Sequence, residues 1–145
     1  MKLISTLLLY LSVIVSTAFA QDLPHLKESA FKGGEKLKYK LRYGFISAAT
    51  GTLTVEDTKD GAGNPSFHLY AAGKTAGAFA IYTVRNEYNS YINSKTFLPY
   101  YYTENIREGG YRRNDKVRFN QETNSVVGNK GTFNSKVDQT FDLLS

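Results

Sequence analysis

The sequence predicts an all-β protein with an antiparallel sheet, and three observations predict it. Apolar and polar residues alternate strictly over 36–43, which is the period of a strand and not of a helix. Turn-forming residues recur at intervals of roughly 8–12 residues, as in β-sandwiches and barrels. The loops between apolar runs are short, which favours antiparallel pairing because parallel neighbours need long crossovers. We therefore expect a curved antiparallel sheet, a sandwich or a partly open barrel, with at most one short helix.

The first strand, 36–43, has the clearest pattern. Its core-facing residues are expected to be Leu37, Tyr39, Leu41 and Tyr43. Its solvent-facing residues are then Lys36, Lys38, Lys40 and Arg42. These cations are either the solvated side of the strand, where lysines discourage edge-to-edge pairing, or a surface for an anionic partner. The modest net charge favours the solvated side.

The later strands follow in order, separated by turn residues. Strands are predicted at 51–56 and 66–71, joined by a loop rich in Asp, Gly, Asn and Pro. Further strands are predicted over 83–93 and 100–108, and Gly109-Gly110 is a hairpin signal that returns the chain into 111–120. Short strands follow at 125–128 and from 132. Residues 71–84 are rich in alanine and fit either a short helix or a bent strand.

The chain divides into three parts. Residues 1–20 have a basic start, an apolar run and the small-residue site Ala18-Phe19-Ala20, which together predict a cleaved signal peptide. The apolar run is shorter than a membrane-spanning helix requires. Residues 21–34 form a lead-in segment, and 35–145 form one β-rich domain. Because the sequence stops in an apolar stretch, we expect this domain to be truncated at its C-terminus and the fold to be incomplete.

Composition narrows the compartment and the partners. The chain has no cysteine, which excludes disulfides and a lipid-modified cysteine at the cleavage site. Cleavage would leave 125 of the 145 residues, with 17 Lys and Arg against 13 Asp and Glu. A net charge of this size supports weak attraction to anionic glycans or headgroups and not a nucleic-acid footprint. We expect an exported protein of the periplasm or the outer-membrane periphery, without a transmembrane segment after cleavage.

The motifs that could carry chemistry are incomplete, so no catalytic, cofactor-binding or metal-ligating residue is assigned. Gly73-Lys74-Thr75 matches the end of a phosphate-binding loop, but His68 stands where that loop needs a glycine. His25 and His68 are too few and too far apart for a histidine metal site. Alternation places His68 away from the core. The carboxylates of 56–60 fail the calcium-loop spacing because Lys59 occupies a ligand position.

The aromatic and arginine residues of 100–113 form the candidate ligand or partner surface. Alternation places Tyr100 and Tyr102 on one face of their strand and Tyr101 on the other. Tyrosine packs β cores and also lines wet interfaces that bind sugars or partners. The arginines beside the hairpin are expected to form cross-strand ion pairs with nearby carboxylates. The candidate residues are Tyr100, Tyr101, Tyr102, Arg107, Arg112 and Arg113.

Several phrases of the sequence resemble one family. They are "FKGGEKLKYKLRYGFISAATGTLTV", "INSKTFLPYYYTE" and "GGYRRNDKVRF", and they resemble the exported bacterial proteins of domain-of-unknown-function family 3108. The resemblance extends over nearly all of the chain after residue 20. It implies an exported, β-rich protein, usually longer than this chain, and it supplies no catalytic residues.

Three functions remain open at this point. The first is a non-catalytic cell-envelope protein that binds a lipid or glycan on a concave sheet face. The second is an envelope hydrolase that uses carboxylates from separate strands, for example Glu87 and Glu104, which would have to lie roughly 5–10 Å apart across a cleft. The third is a fragment of an outer-membrane β-barrel. The absence of a catalytic constellation favours the first, and the oligomeric state is left open.

Overall fold

The computed structural model describes residues 31–145, which form one open antiparallel sheet of eight strands. The strands are β1 (Lys36–Tyr43), β2 (Ile46–Lys59), β3 (Pro65–Thr75), β4 (Val84–Asn93), β5 (Pro99–Glu108), β6 (Tyr111–Asn120), β7 (Ser125–Gly128) and β8 (Gly131–Asn134). The prediction of an all-β antiparallel sheet is confirmed. The expected signal peptide and the first ten residues of the lead-in lie outside the described residues.

The order of the strands in the sheet is their order in the chain. Each strand therefore pairs with its neighbours in sequence, and β1 and β8 are the two edges. The tightest connections use glycines with positive φ, such as Gly44 at 59° and Gly109 at 55°. This conformation is accessible to glycine without a steric penalty. Gly109 lies in the β5–β6 turn, as its sequence predicts.

Successive residues of each strand point to opposite sides of the sheet, so cross-strand partners share a face. One side, here called the apolar face, contains the buried core of the central strands. Its buried apolar residues on β3, β4 and β5 are Leu69, Ala71, Ile92, Tyr102 and Ile106. The other side, here called the cationic face, consists mainly of hydroxyl, amide and charged side chains.

The segment after β8 lies against the apolar face. The Ser90 hydroxyl, which is fully buried, donates a 2.6 Å hydrogen bond to Oδ2 of Asp142. Gln121 exchanges hydrogen bonds with the backbone N–H and C=O of Thr140. Leu143 and Leu144 form one wall of a pocket of about 380 Å³, whose other walls include Leu37, Leu53, Val55 and Leu69. This segment therefore provides part of the cover over the core.

The alternation in β1 is as predicted, but its inward-facing residues are not buried. The exposed fractions of Leu37, Tyr39, Leu41 and Tyr43 are 49, 53, 63 and 78%. β1 is an edge strand with only β2 beside it, and of these four residues Leu37 lines the pocket that Leu143 and Leu144 also line. The four residues therefore lie on the core-facing side of the strand, as expected, but they are about half exposed or more.

Residues 71–84 contain both of the structures that the sequence left open. β3 continues to Thr75, a short 3-10 turn follows over Gly77–Ile81, and β4 begins at Val84. Thr75 holds the two strand ends together: its hydroxyl donates to the Tyr82 carbonyl and accepts from the N–H of Val84, both at 3.1 Å. The alanine-rich stretch is thus half strand and half turn.

Candidate functional site

Charge is divided unequally between the two faces of the sheet. Strands β1–β6 place only two carboxylates, Glu56 and Glu87, on the cationic face. They place two cations, Lys59 and Arg113, on the opposite face, together with four carboxylates. The ten cations of the cationic face are Lys36, Lys38, Lys40, Arg42, Lys74, Arg85, Arg107, Arg112, Lys116 and Arg118. The modest net charge of the chain therefore conceals a strongly positive surface.

Five of these cations form a single row across the sheet, here called the cationic row. Lys74 on β3 is the direct partner of Arg85 on β4, which is the partner of Arg107 on β5. Arg107 in turn faces Arg112 on β6. The row continues the other way through Thr50 on β2, its one uncharged member, to Lys40 on β1. Adjacent strands are about 4.8 Å apart, so the row is a closely spaced line of positive charge.

Such a row is unfavourable for folding on its own account. Like charges directly opposite each other on neighbouring strands destabilise a sheet. Arg85 has a compensating carboxylate, because its Nε lies 3.3 Å from Oε1 of Glu87. Within residues 31–145, Lys40, Lys74, Arg107 and Arg112 form no ion pair with a carboxylate. Arg107 is instead held by the Asn105 side chain and Arg112 by two backbone carbonyls. The row is therefore largely uncompensated.

A pocket of about 230 Å³ opens beside the middle of the row, on strands β2, β3 and β4. Ala72 is at its base, because its methyl group is much shorter than the side chains around it. The surrounding side chains are those of Thr50, Thr52, Tyr70, Lys74, Arg85 and Glu87. We call this depression the Ala72 pocket. Its walls supply two cations, one carboxylate, the hydroxyls of two threonines, and the ring and hydroxyl of one tyrosine.

A second row on the same face is aromatic. The His68 ring stacks on Tyr91, with centroids 4.5 Å apart and an interplanar angle of 8°. Tyr91 contacts Tyr101 at 5.8 Å, and the Arg118 guanidinium lies 5.2 Å from the centroid of the Tyr101 ring. His68 also bonds Asn89 through Nε2 at 2.9 Å. The prediction that His68 points away from the core is confirmed, but its side chain is only 20% exposed and is packed.

The structure divides the predicted surface of 100–113 between the two faces. Tyr101, Arg107 and Arg112 lie on the cationic face, and Arg107 and Arg112 belong to the cationic row. Tyr102 and Arg113 lie on the apolar face. Tyr100 has no cross-strand partner, because the register between β4 and β5 shifts at Tyr91/Ile92, and burial raises its pKa. The six residues therefore do not form one surface.

Tyr102 and Arg113 have a structural partner in common. Glu104 on β5 accepts a 3.0 Å hydrogen bond from the Tyr102 hydroxyl and forms an ion pair with Arg113. Burial, together with the hydrogen bond to Glu104 and the charge of Glu104, raises the pKa of Tyr102 well above its usual value. Arg113 also contacts Asp115 at 3.5 Å. The predicted cross-strand ion pairs of this hairpin thus exist for Arg113.

Sequence reasoning missed Lys74, Arg85, Lys116 and Arg118 as surface residues. Lys74 was considered only as part of a phosphate loop, and Arg85 lay beside a segment of undecided structure. The predicted strands end at 71 and begin again at 83, so pairing them in chain order does not by itself align Lys74 with Arg85. These residues share a surface only through the pairing register of the strands, which no local motif indicates.

The positions of the acidic side chains test two catalytic possibilities, a glycosidase-like pair of carboxylates and a metal site. Glu87 lies on the cationic face, whereas Glu104 lies on the apolar face, so the sheet separates the two carboxylates and they cannot share a cleft. In the part of the chain from 31 to 145, no three His, Cys, Asp or Glu side chains are grouped to hold a metal ion.

That part also contains no helix with the length and hydropathy needed to cross a lipid bilayer.

Fold and site define a single-sheet antiparallel β protein with one apolar and one strongly cationic face. Residues 38–145 match the model of the family described as "Protein of unknown function (DUF3108)". The chain belongs to this family, and the family predicted from the strand and turn phrases is confirmed. Searches of curated proteins and of solved structures gave no match.

Proposed function

We propose that this protein is an exported, non-catalytic component of the bacterial cell envelope, and that its cationic face binds an anionic envelope molecule. The cationic row carries this proposal. Five cations on six adjacent strands repel one another, and the described residues leave four of them without a carboxylate partner. An anionic ligand would neutralise these charges and so reduce their mutual repulsion. Because the ligand would bind only the folded protein, its binding would also stabilise the fold.

The predicted location in the cell envelope supports the same proposal. The signal-like segment 1–20 predicts export, and a bacterial envelope presents phosphate and carboxylate groups on glycans and on lipid headgroups. A cationic face recognises both kinds of group by the same chemistry. The sequence predicted a ligand on a concave sheet face, and this proposal assigns it to the cationic face because four of the five cations of the cationic row form no ion pair among the described residues.

Binding by this face would depend on charge and would be sensitive to salt. Exposed charges are screened over about 10 Å at 0.1 M ionic strength. The affinity for an anionic surface should therefore fall steeply as salt is added, as it does for other ligands recognised by clustered surface charges.

The test compares two variants that lose the same amount of charge. Arg107→Gln/Arg112→Gln removes two members of the cationic row. Lys59→Gln/Lys136→Gln removes two exposed lysines that are not among the ten cations of the cationic face. Binding of the purified protein to vesicles with and without anionic phospholipid, and to an immobilised polyanionic polysaccharide, is measured by sedimentation and by surface plasmon resonance.

We expect the arginine variant to bind the anionic probe it recognises roughly tenfold more weakly, about 1.4 kcal/mol. The lysine variant should change this affinity by less than about threefold. Equal losses in the two variants would show that only net charge matters and would remove the cationic row as the site. Failure of the unaltered protein to bind either anionic probe at low salt would refute the proposed function.

A further inference from the structure

We infer that the anionic ligand is a glycan containing acidic sugars, and that one acidic sugar lies in the Ala72 pocket. This inference rests on the proposed function and specifies its ligand. It is based on the Ala72 pocket, which contains hydroxyl, carboxylate and aromatic groups in addition to the cations that would attract a negative charge.

The cations of the pocket are placed for a carboxylate. Lys74 and Arg85 are direct cross-strand partners on the same wall. A carboxylate between them would accept hydrogen bonds from both, and bonds between charged groups are the strongest that a protein surface offers. Arg85 is already oriented by Glu87 at 3.3 Å, so little side-chain freedom is lost when it binds.

The remaining polar groups are placed for hydroxyls. Thr50 and Thr52 can each donate and accept a hydrogen bond, and the Glu87 carboxylate can only accept. A phosphodiester or an ionised carboxylate has no hydroxyl to donate to Glu87 and would be repelled by it. A sugar hydroxyl, in contrast, would donate to that carboxylate. The acceptor beside the two cations therefore favours an acidic sugar over a bare anionic headgroup.

The aromatic wall of the pocket fits the same ligand. Tyr70 lies on β3 two residues from Ala72 and on the same face of the sheet. A partly buried tyrosine presents an apolar ring surface beside polar groups, which suits the C–H face of a sugar ring. Burial also raises the pKa of the Tyr70 hydroxyl, so it remains a neutral donor at ordinary pH.

Beyond the pocket, the cationic face forms an extended surface that suits a polymer. From the pocket, the cationic row continues through Arg107 to Arg112. The neighbouring row runs through Lys38, Thr52, Ala72, Glu87, Asn105 and Asn114. A line of cations beside a row that offers a hydroxyl, a carboxylate and two amides matches a chain of sugars that carries both carboxylates and hydroxyls. The polymer would cross the strands with its acidic groups along the cationic row.

The test fills the pocket without changing any charge. Ala72→Val adds a β-branched side chain, which strands accept well, at the base of the pocket. Ser47→Val makes a similar change on the same face, next to Arg42 and outside the pocket. Thr52→Val is a second pocket variant that removes one hydroxyl at nearly constant volume. Circular dichroism and the melting temperature show whether each variant is folded.

The probes are polygalacturonate, neutral dextran and anionic phospholipid vesicles. We expect Ala72→Val to weaken binding to polygalacturonate about tenfold and to leave vesicle binding unchanged. Thr52→Val should weaken polygalacturonate binding severalfold, whereas Ser47→Val should have no effect. The unaltered protein should bind polygalacturonate more tightly than dextran at equal ionic strength.

The outcomes separate this inference from the proposed function. If both pocket variants bind polygalacturonate as Ser47→Val does, the pocket holds no sugar and the inference is wrong. If, in addition, Arg107→Gln/Arg112→Gln still reduces vesicle binding, the proposed function stands with a lipid ligand. If neither polygalacturonate nor vesicles bind the unaltered protein, the inference and the proposed function both fail.

Discussion

Arg113 on β6 forms an ion pair with Glu104 on β5 on the face of the sheet opposite the cationic row. The Glu104 side chain is only 8% exposed, and its two partners are this guanidinium and the Tyr102 hydroxyl. Cations on the two faces therefore have different roles. Arg113 compensates a buried carboxylate of the fold, whereas Arg107 and Arg112 have no such partner among residues 31–145.

The first prediction tests this difference in stability. Arg113→Gln leaves the Glu104 carboxylate buried beside a neutral group, which destabilises a fold more than the loss of an exposed charge does. We expect the melting temperature to fall by several degrees. Arg112→Gln, on the neighbouring residue, should lower it little or not at all. Equal melting temperatures for the two variants would show that Glu104 does not need Arg113.

The second prediction concerns alkaline pH. The pKa of Tyr102 is raised above its usual value of 10.0 in the folded protein. The folded state then holds the hydroxyl proton more tightly than the unfolded state. The stability contributed by this proton is complete below about pH 10 and is lost as pH rises toward the folded pKa. The free energy of unfolding in urea should therefore decline in this range.

Tyr102→Phe removes the titrating group, so its decline with pH should be shallower than that of the unaltered protein. The difference between the two pH profiles isolates the contribution of Tyr102. Tyr111→Phe, at an exposed tyrosine, is the control. Parallel profiles for the unaltered protein and Tyr102→Phe would contradict the raised pKa.

The third prediction uses the two glycines of the β5–β6 hairpin. Gly109 has φ of +55°, and a Cβ there would lie 2.8 Å from a ring carbon of Tyr82. Gly110 has open space around the same position. We expect Gly109→Ala to cost about 1–3 kcal/mol of unfolding free energy, and Gly110→Ala less than about 0.5 kcal/mol. Denaturant unfolding of both variants provides the measurement, and a larger loss in Gly110→Ala would contradict the turn geometry.

The fourth prediction concerns how much the cationic row destabilises the fold. Arg107→Gln removes a cation that faces Arg85 on one side and Arg112 on the other. Relief of this repulsion should raise the free energy of unfolding by about 0.5 kcal/mol at low salt. The gain should disappear as salt screens the remaining charges. Lys59→Gln is the matched control, and a loss of stability in Arg107→Gln would mean that the row does not strain the fold.

The alternation of residues predicts most of the strands and, within a regular strand, the face on which each residue lies. Tyr101 and Tyr102 lie on opposite faces as their positions predict, because the period of two is a property of every strand. Tyr100 departs from the pattern because of a register shift between β4 and β5. Such a shift depends on how two strands meet, and the residues of one strand do not specify it.

Burial was harder to predict than orientation. Leu41 and Ile92 are both apolar and both lie on the apolar face, yet Leu41 is 63% exposed and Ile92 is fully buried. Leu41 is on the edge strand, whereas Ile92 is in the middle of the sheet. The cationic row was missed for a related reason. Lys74 and Arg85 form part of a site only through their pairing, which is a property of the assembled sheet.

The nearest-neighbour order of the strands also has a consequence for how the protein folds. Each pairing closes one hairpin between consecutive strands, so no step requires a long excursion of the chain. The entropy lost in closing each loop is correspondingly small. The buried residues of β3, β4 and β5 are close in sequence and can collapse first, and the outer strands can then add one at a time. The two edge strands, β1 with its four exposed apolar residues and the four-residue β8, are accordingly expected to detach first when the sheet opens.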